Sequence, residues 1–227
     1  MSSLFRPLIL ALLALLLCSL AGAADDAVDP VLSYYWEHAR AAEKTYDPDV
    51  PGIGYRFTAR TYKHTVVRGG IISKTDSITQ TYFYSNGSLD SVRTIRGQVK
   101  RFKNLDLTWP SIFENRYRLN LFPNDTGGTK LAIGLRSDST GTRLPDGLLV
   151  IDRNRYFPYS LYLFFPDKGG FSRFTRSFRF TLVNNLVFPD SVWEVATQLG
   201  IFFPESYRLE TGITDIQVWR TDSLRKR

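Results

Sequence analysis

From Tyr55 onward the chain is written in short runs of alternating apolar and polar residues, separated by glycine pairs and an Asn-Gly. Tyr55 to Val67 runs to Gly69-Gly70, Ile78 to Tyr84 reaches Asn86-Gly87, and Leu89 to Ile95 returns. A period of two sends successive side chains to opposite faces of a strand. Asn-Gly between two such runs is the strongest short hairpin signal, because both residues tolerate the positive φ of a type I′ turn. The same pattern continues over Tyr117–Phe122, Leu131–Leu135, Leu148–Ile151, Tyr159–Phe165 and Phe171–Val183. An antiparallel meander is therefore expected.

In the run 171–183, Phe174, Phe178, Phe180 and Leu182 share one face, interrupted only by Arg176, while Arg173, Thr175, Ser177, Arg179 and Thr181 share the other. Burying four such apolar side chains contributes roughly 1.5–3 kcal/mol each, which makes this strand central to the fold. Residues 190–203 admit two readings. Asp190 could cap a helix carrying Val192, Val195, Ala196 and Leu199, but Trp193, Val195, Thr197, Leu199, Ile201 and Phe203 form a longer alternate row, facing away from Glu194 and Ala196. The longer row favours a strand with the odd positions as its apolar face. A last strand is expected from Tyr207 through Leu209 to Ile213, Ile216 and Val218. An aromatic-proline-polar mark recurs at Phe122-Pro123-Asn124, Phe165-Pro166-Asp167, Phe188-Pro189-Asp190 and Phe203-Pro204-Glu205. Each reads as a strand ending in a turn.

One helix precedes the strands. Asp29-Pro30 supplies an N-cap and a first-turn proline, and Leu32, Tyr35, Trp36, Ala39 and Glu43 follow at three- and four-residue spacing. Asp47-Pro48-Asp49-Val50-Pro51-Gly52 ends it, since two prolines and a glycine cannot continue a helix. The alternating acids there lack the downstream oxygen ligands and glutamate of a calcium loop.

Ahead of the helix, Arg6, the apolar run Leu8–Leu17 and Ala21-Gly22-Ala23 have the order of a cleavable signal peptide over residues 1–24. The apolar run falls short of the ~20 residues that span a bilayer. Export to the periplasm is expected, with 25–222 as a single domain and 223–227 as a flexible tail. A lipid anchor on Cys18 is not expected, because Leu17 is larger than the residue that usually precedes a lipidated cysteine. Cys18 is the sole cysteine, so the mature chain would hold no disulfide, thiolate nucleophile or cysteine metal site.

The formal charge is +7 and falls to +6 once Arg6 leaves with the leader. Arg93, Arg96, Lys100, Arg101 and Lys103 cluster, which reads as a solvated face or as a peripheral contact with an anionic membrane surface. Nucleic acid is not expected as a partner in an exported compartment. His38 and His64 belong to no metal spacing, and neither a G-x-S-x-G elbow nor a P-loop is present. No cofactor, metal or catalytic residue is assigned, and the chain is not expected to be an enzyme.

The leader, the N-terminal helix, the long meander interrupted around Gly97 to Glu114, and Asp146-Gly147-Leu148-Leu149-Val150-Ile151-Asp152 followed by two aromatic-rich strands resemble the periplasmic lipoprotein-carrier (LolA/LolB-like) superfamily. The resemblance implies a mainly β (α+β) fold, a strongly curved antiparallel sheet or half-open barrel of about ten strands. Its N-terminal helix, Val31 to Ala42, and a short mid-chain helix near Trp109 to Phe113 would cover the concave face. The aromatic strands would then line a cavity for a lipid, an acyl chain or an acylated protein. Trp36, Leu161, Leu163, Phe174, Phe178 and Phe180 are the candidate lining residues. A monomer is expected, with an envelope protein as a further partner and lipid or lipoprotein transport as the implied role. Two other readings fit the same alternation: a ligand-free interaction module with a filled core, and an outer-membrane barrel. The basic tail and several strands shorter than about 9 residues count against the barrel.

Overall fold

The computed structural model describes residues 29–67, 70–102, 107, 112–113, 117–121, 128–137, 145–165, 171–198 and 205–221. The leader, Cys18, the tail and most of the segment near Trp109 lie outside these residues.

Helix α1 spans Pro30–Tyr46, with Pro30 in the first turn and the Asp29 carboxylate accepting the Val31 N–H at 2.9 Å. Leu32, Ala39 and Ala42 form its buried stripe. Ten strands follow: β1 (Ile53–Val66), β2 (Ile72–Ser85), β3 (Ser88–Arg96), β4 (Tyr117–Leu121), β5 (Lys130–Ser137), β6 (Asp146–Asp152), β7 (Pro158–Phe165), β8 (Phe171–Val183), β9 (Leu186–Gln198) and β10 (Ser206–Arg220). They make one antiparallel sheet, ordered β3-β2-β1-β10-β9-β8-β7-β6-β5-β4, open at β3 and β4. Within the described residues each run expected from the alternation coincides with a strand, ending at Val66 in β1. The sheet is open, so the expected curved sheet stands and closure into a barrel does not occur.

Two meanders build this sheet. The first, β1 to β3, grows outward in one direction; the chain then passes through a 3-10 turn at Val99–Phe102 and resumes at β4 on the opposite edge. The second meander returns strand by strand until β10 pairs with β1 from Ile53↔Arg220 to Val66↔Ser206. Helix α1 touches β9 near the sheet centre and β4 at its edge, so it lies across the inner face of the second meander.

Asn86 and Gly87 take φ of 50° and 76°, as the Asn-Gly signal requires. A second turn of this kind, Asn184-Asn185 with φ of 53° and 61°, joins β8 to β9. Asparagine is the non-glycine residue that tolerates this region best, so the pair carried a signal the glycine-centred reading passed over.

Two expectations about β9 are overturned. Phe188-Pro189-Asp190 is not a turn: it lies inside β9, with Pro189 opposite Phe180 where the β8–β9 register shifts. A proline cannot donate to the ladder, so a register shift is where a sheet tolerates one. The other three proline marks lie wholly or partly outside the described residues. The faces of β9 are also reversed: Val192, Glu194 and Ala196 are buried, while Trp193 is 38% exposed. The cause is a buried ion pair. Arg176 stands opposite Glu194, and its Nε and a terminal nitrogen donate to Glu194 Oε2 at 2.9 and 2.7 Å, while the Tyr207 hydroxyl donates to Oε1 at 2.6 Å. Arg176 and Glu194 are 8% and 6% exposed. Directly opposed residues share a face, so once Arg176 lies inward with Phe174 and Phe178, Glu194 must follow it.

This cluster gives the first prediction. Glu194→Ala removes the carboxylate that faces a buried guanidinium and should cost about 3–5 kcal/mol, whereas replacing the cluster together by Arg176→Met, Glu194→Leu and Tyr207→Phe should cost less. Urea unfolding of the two variants measures the difference.

Candidate functional site

A cavity of about 320 Å³ lies between the sheet and the last turn of α1. Six strands contribute its walls: Tyr55 and Phe57 from β1, Tyr84 from β2, Leu149 and Leu161 from β6 and β7, and Phe180 and Phe188 from β8 and β9. Leu107, Ile112 and Phe113 cover it from the connection between β3 and β4. Alternation explains why these side chains meet. Tyr55, Phe57 and Ala59 are the inward row of β1, and Tyr55 faces Tyr84 across the ladder with ring centroids 4.7 Å apart and nearly parallel. Phe188 closes on Tyr55 edge-to-face at 5.1 Å.

One end of the cavity is polar. Glu43, Lys44, Tyr46, Asp47 and Asp49 line it, all from the end of α1 and the turn after it. The Asp47 carboxylate accepts the Asp49 N–H at 2.8 Å, and the Tyr55 hydroxyl donates to Asp49 Oδ1 at 2.7 Å. The hairpin turn of β2–β3 braces this rim. Asn86 Oδ1 accepts the Gly52 N–H at 2.8 Å, and a Cβ on Gly87 would stand 2.6 Å from the Asp49 carbonyl oxygen. Gly87 is thus required twice, by its φ and by that approach.

Burial raises the Asp49 pKa and the nearby Asp47 charge adds to this, while the Tyr55 hydrogen bond pulls it back. Burial, followed by the bond to Asp49, pushes the Tyr55 phenol far above its ordinary value. Tyr207 is displaced in the same direction by burial and by the Glu194 charge. No group of three His, Cys, Asp or Glu able to hold a metal occurs among the described residues.

Of the six candidate lining residues, Leu161 and Phe180 line the cavity. Leu163, Phe174 and Phe178 are buried elsewhere in the sheet's interior, with Phe174 against Phe165 at 5.4 Å and Phe178 stacked on Phe180 at 6.0 Å. Trp36 is half-buried and packs on Phe113, 4.7 Å between centroids. It therefore holds a covering residue in place rather than facing the cavity itself. Sequence reasoning missed Tyr55, Phe57, Tyr84 and Phe188. The first three were legible as aromatics on one row of each strand; Phe188 was hidden by reading its proline as a strand end.

No family model matches the chain, and no curated protein matches it. Among solved structures it is similar to a domain attributed to outer membrane lipoprotein sorting from Vibrio parahaemolyticus, at 11% identity, covering 84% of this chain and 96% of that one, with TM-score 0.44. It is also similar to a LolA superfamily protein from Nitrosomonas europaea, at 10% identity, 83% and 97% coverage and TM-score 0.38. A DUF1329 family protein from Desulfovibrio piger matches at 12% identity, 84% and 93% coverage and TM-score 0.42. At these identities the likeness concerns the general layout alone, an open antiparallel sheet preceded by one N-terminal helix.

The raised phenols carry a signed pH dependence. Tyrosines of the unfolded chain ionise near ~10, whereas Tyr55 and Tyr207 stay protonated in the fold. Their contribution is fully present below pH ~10 and is lost as pH rises beyond it toward the folded values. Tyr55→Phe and Tyr207→Phe should each flatten the alkaline fall of stability, read from unfolding midpoints alongside phenolate absorbance.

Proposed function

We propose that this protein is an exported, non-catalytic carrier that holds a lipid-like apolar ligand in the cavity between its curved sheet and α1. The observation that carries this reading is the cavity itself: a volume of about 320 Å³ walled by tyrosine, phenylalanine, leucine and isoleucine and polar at one end. That size is at the low end of the roughly 300–1,000 Å³ of small-molecule sites, so a single acyl chain suits it better than a whole two-chain lipid. The leader pattern of residues 1–24 supports export. Among the described residues no helix is long and apolar enough to cross a membrane. Handover of acylated proteins in the envelope is the role this reading favours.

A ligand-free interaction module is the second reading. It is favoured by β3, which is exposed along its whole length and leaves Leu89, Val92 and Ile95 open to solvent at a sheet edge.

Filling the cavity separates the two. Leu161→Phe adds bulk where Leu161 lines the void, so a fluorescent acyl probe should bind at least about tenfold more weakly, a 1.4 kcal/mol loss, while the thermal midpoint changes little. Unchanged probe binding in that variant, or none by the parent, would favour the interaction module.

A further inference from the structure

Strand β3 is the longer of the two edges of the sheet. All nine residues of Ser88–Arg96 are exposed, and among the described residues the strand pairs with β2 alone. The opposite edge, β4, offers five residues, every second one half-buried. An open edge presents a row of backbone donors and acceptors that a further strand can join. The apolar residues of β3 recur at every third position, Leu89, Val92 and Ile95, with 50%, 39% and 60% of their surface exposed. The ladder with β2 accounts for the first of these steps. Its register shifts past Asp90, so that Leu89 stands opposite Tyr84 and Val92 opposite Tyr82, and it shifts again past Ile95. The row that walls the cavity at Tyr84 therefore continues to the rim of the sheet as aliphatic side chains open to solvent.

The order of residues along the strand says what fits this edge. Read outward from Val92, Ser-Leu-Asp-Ser-Val-Arg-Thr-Ile-Arg has the same polarity in both directions, with its acid in the first half and both cations in the second. We propose that β3 pairs antiparallel with β3 of a second copy of this chain, about a two-fold axis at Val92. In that register Val92 meets its own counterpart, Leu89 meets Ile95 of the second copy, Ser91 meets Arg93, and Asp90 lies diagonal to Arg96. Opposite charges approach across the joint and like charges do not, which is the arrangement that favours cross-strand pairs. A parallel pairing would set Arg93 on Arg93 and Arg96 on Arg96, and sliding the antiparallel register by two residues either way would separate Leu89 from Ile95. Directly opposed residues share a face, so the inward rows of the two copies join into one surface. The joint is small beside the roughly 1,600 Å² of a standard interface, which makes the dimer a weak one, with a dissociation constant of about 1 μM or above. The chain expected as a monomer from its sequence is then a self-associating one, and this holds whether or not the cavity takes a ligand.

Sedimentation equilibrium of the purified protein, loaded from low micromolar to several hundred micromolar, tests this. The mass should climb with concentration toward twice that of one chain. Val92→Glu and Val92→Lys each set like charges against one another at the axis, so each variant alone should sediment as a monomer over the same range. An equal mixture of the two should recover the dimer, because the mixed pair meets with opposite charges, and that recovery also shows both variants to be folded. A parent protein that stays monomeric throughout would overturn the proposal and leave the edge to a strand of another protein. A dimer that either variant leaves intact, or a mixture that fails to associate, would overturn it as well.

Discussion

The pairing of β1 with β10 is the constraint on which the rest of the structure depends. Every other neighbouring pair in the sheet joins strands that are consecutive in the chain, while this one joins residues as far apart as Ile53 and Arg220. Without it the two meanders would be separate ribbons, each with an extra open edge and no common concave face. The seam is secured from within. Thr61 and Thr211 meet across it with their hydroxyl oxygens 2.9 Å apart, both fully buried, so each satisfies the other where water cannot reach. Gly54, opposite Trp219 at the far end, supplies the room that the indole occupies.

From that seam the cavity follows. Joining the meanders brings the inward aromatics of β1 and β2 to the same cavity as Leu149, Leu161, Phe180 and Phe188 of β6 to β9, beside the end of α1. The helix end supplies the polar mouth because Pro48 and Pro51 stop α1 there and turn the chain across the opening. A single local event, helix termination, thereby places Glu43, Asp47 and Asp49 at one end of an otherwise apolar space.

The strands and their order of appearance were legible because alternation and turn residues are local properties. Asp29-Pro30 and Asn86-Gly87 each state their structure within a few residues, and the structure agrees. The facing of β9 was not legible, since Trp193, Val195 and Thr197 look more apolar than Glu194, and only the partner strand reveals that Glu194 has Arg176 to meet. The candidate lining residues show the same divide. Phe174 and Phe178 belong to the right face of β8, but whether a buried side chain borders a void or a neighbour depends on distant strands. The acids of the mouth were read correctly as the end of a helix; that this end opens onto the cavity is a tertiary fact.

The central claim is that the cavity holds one lipid-like molecule. Native mass spectrometry of the protein purified from its own envelope, followed by denaturing extraction, tests it most directly. The account predicts a stoichiometric adduct that is released on unfolding and proves to be a single-chain amphiphile or an acylated peptide. A bare polypeptide mass from gentle purification, with nothing extracted on denaturation, would contradict it.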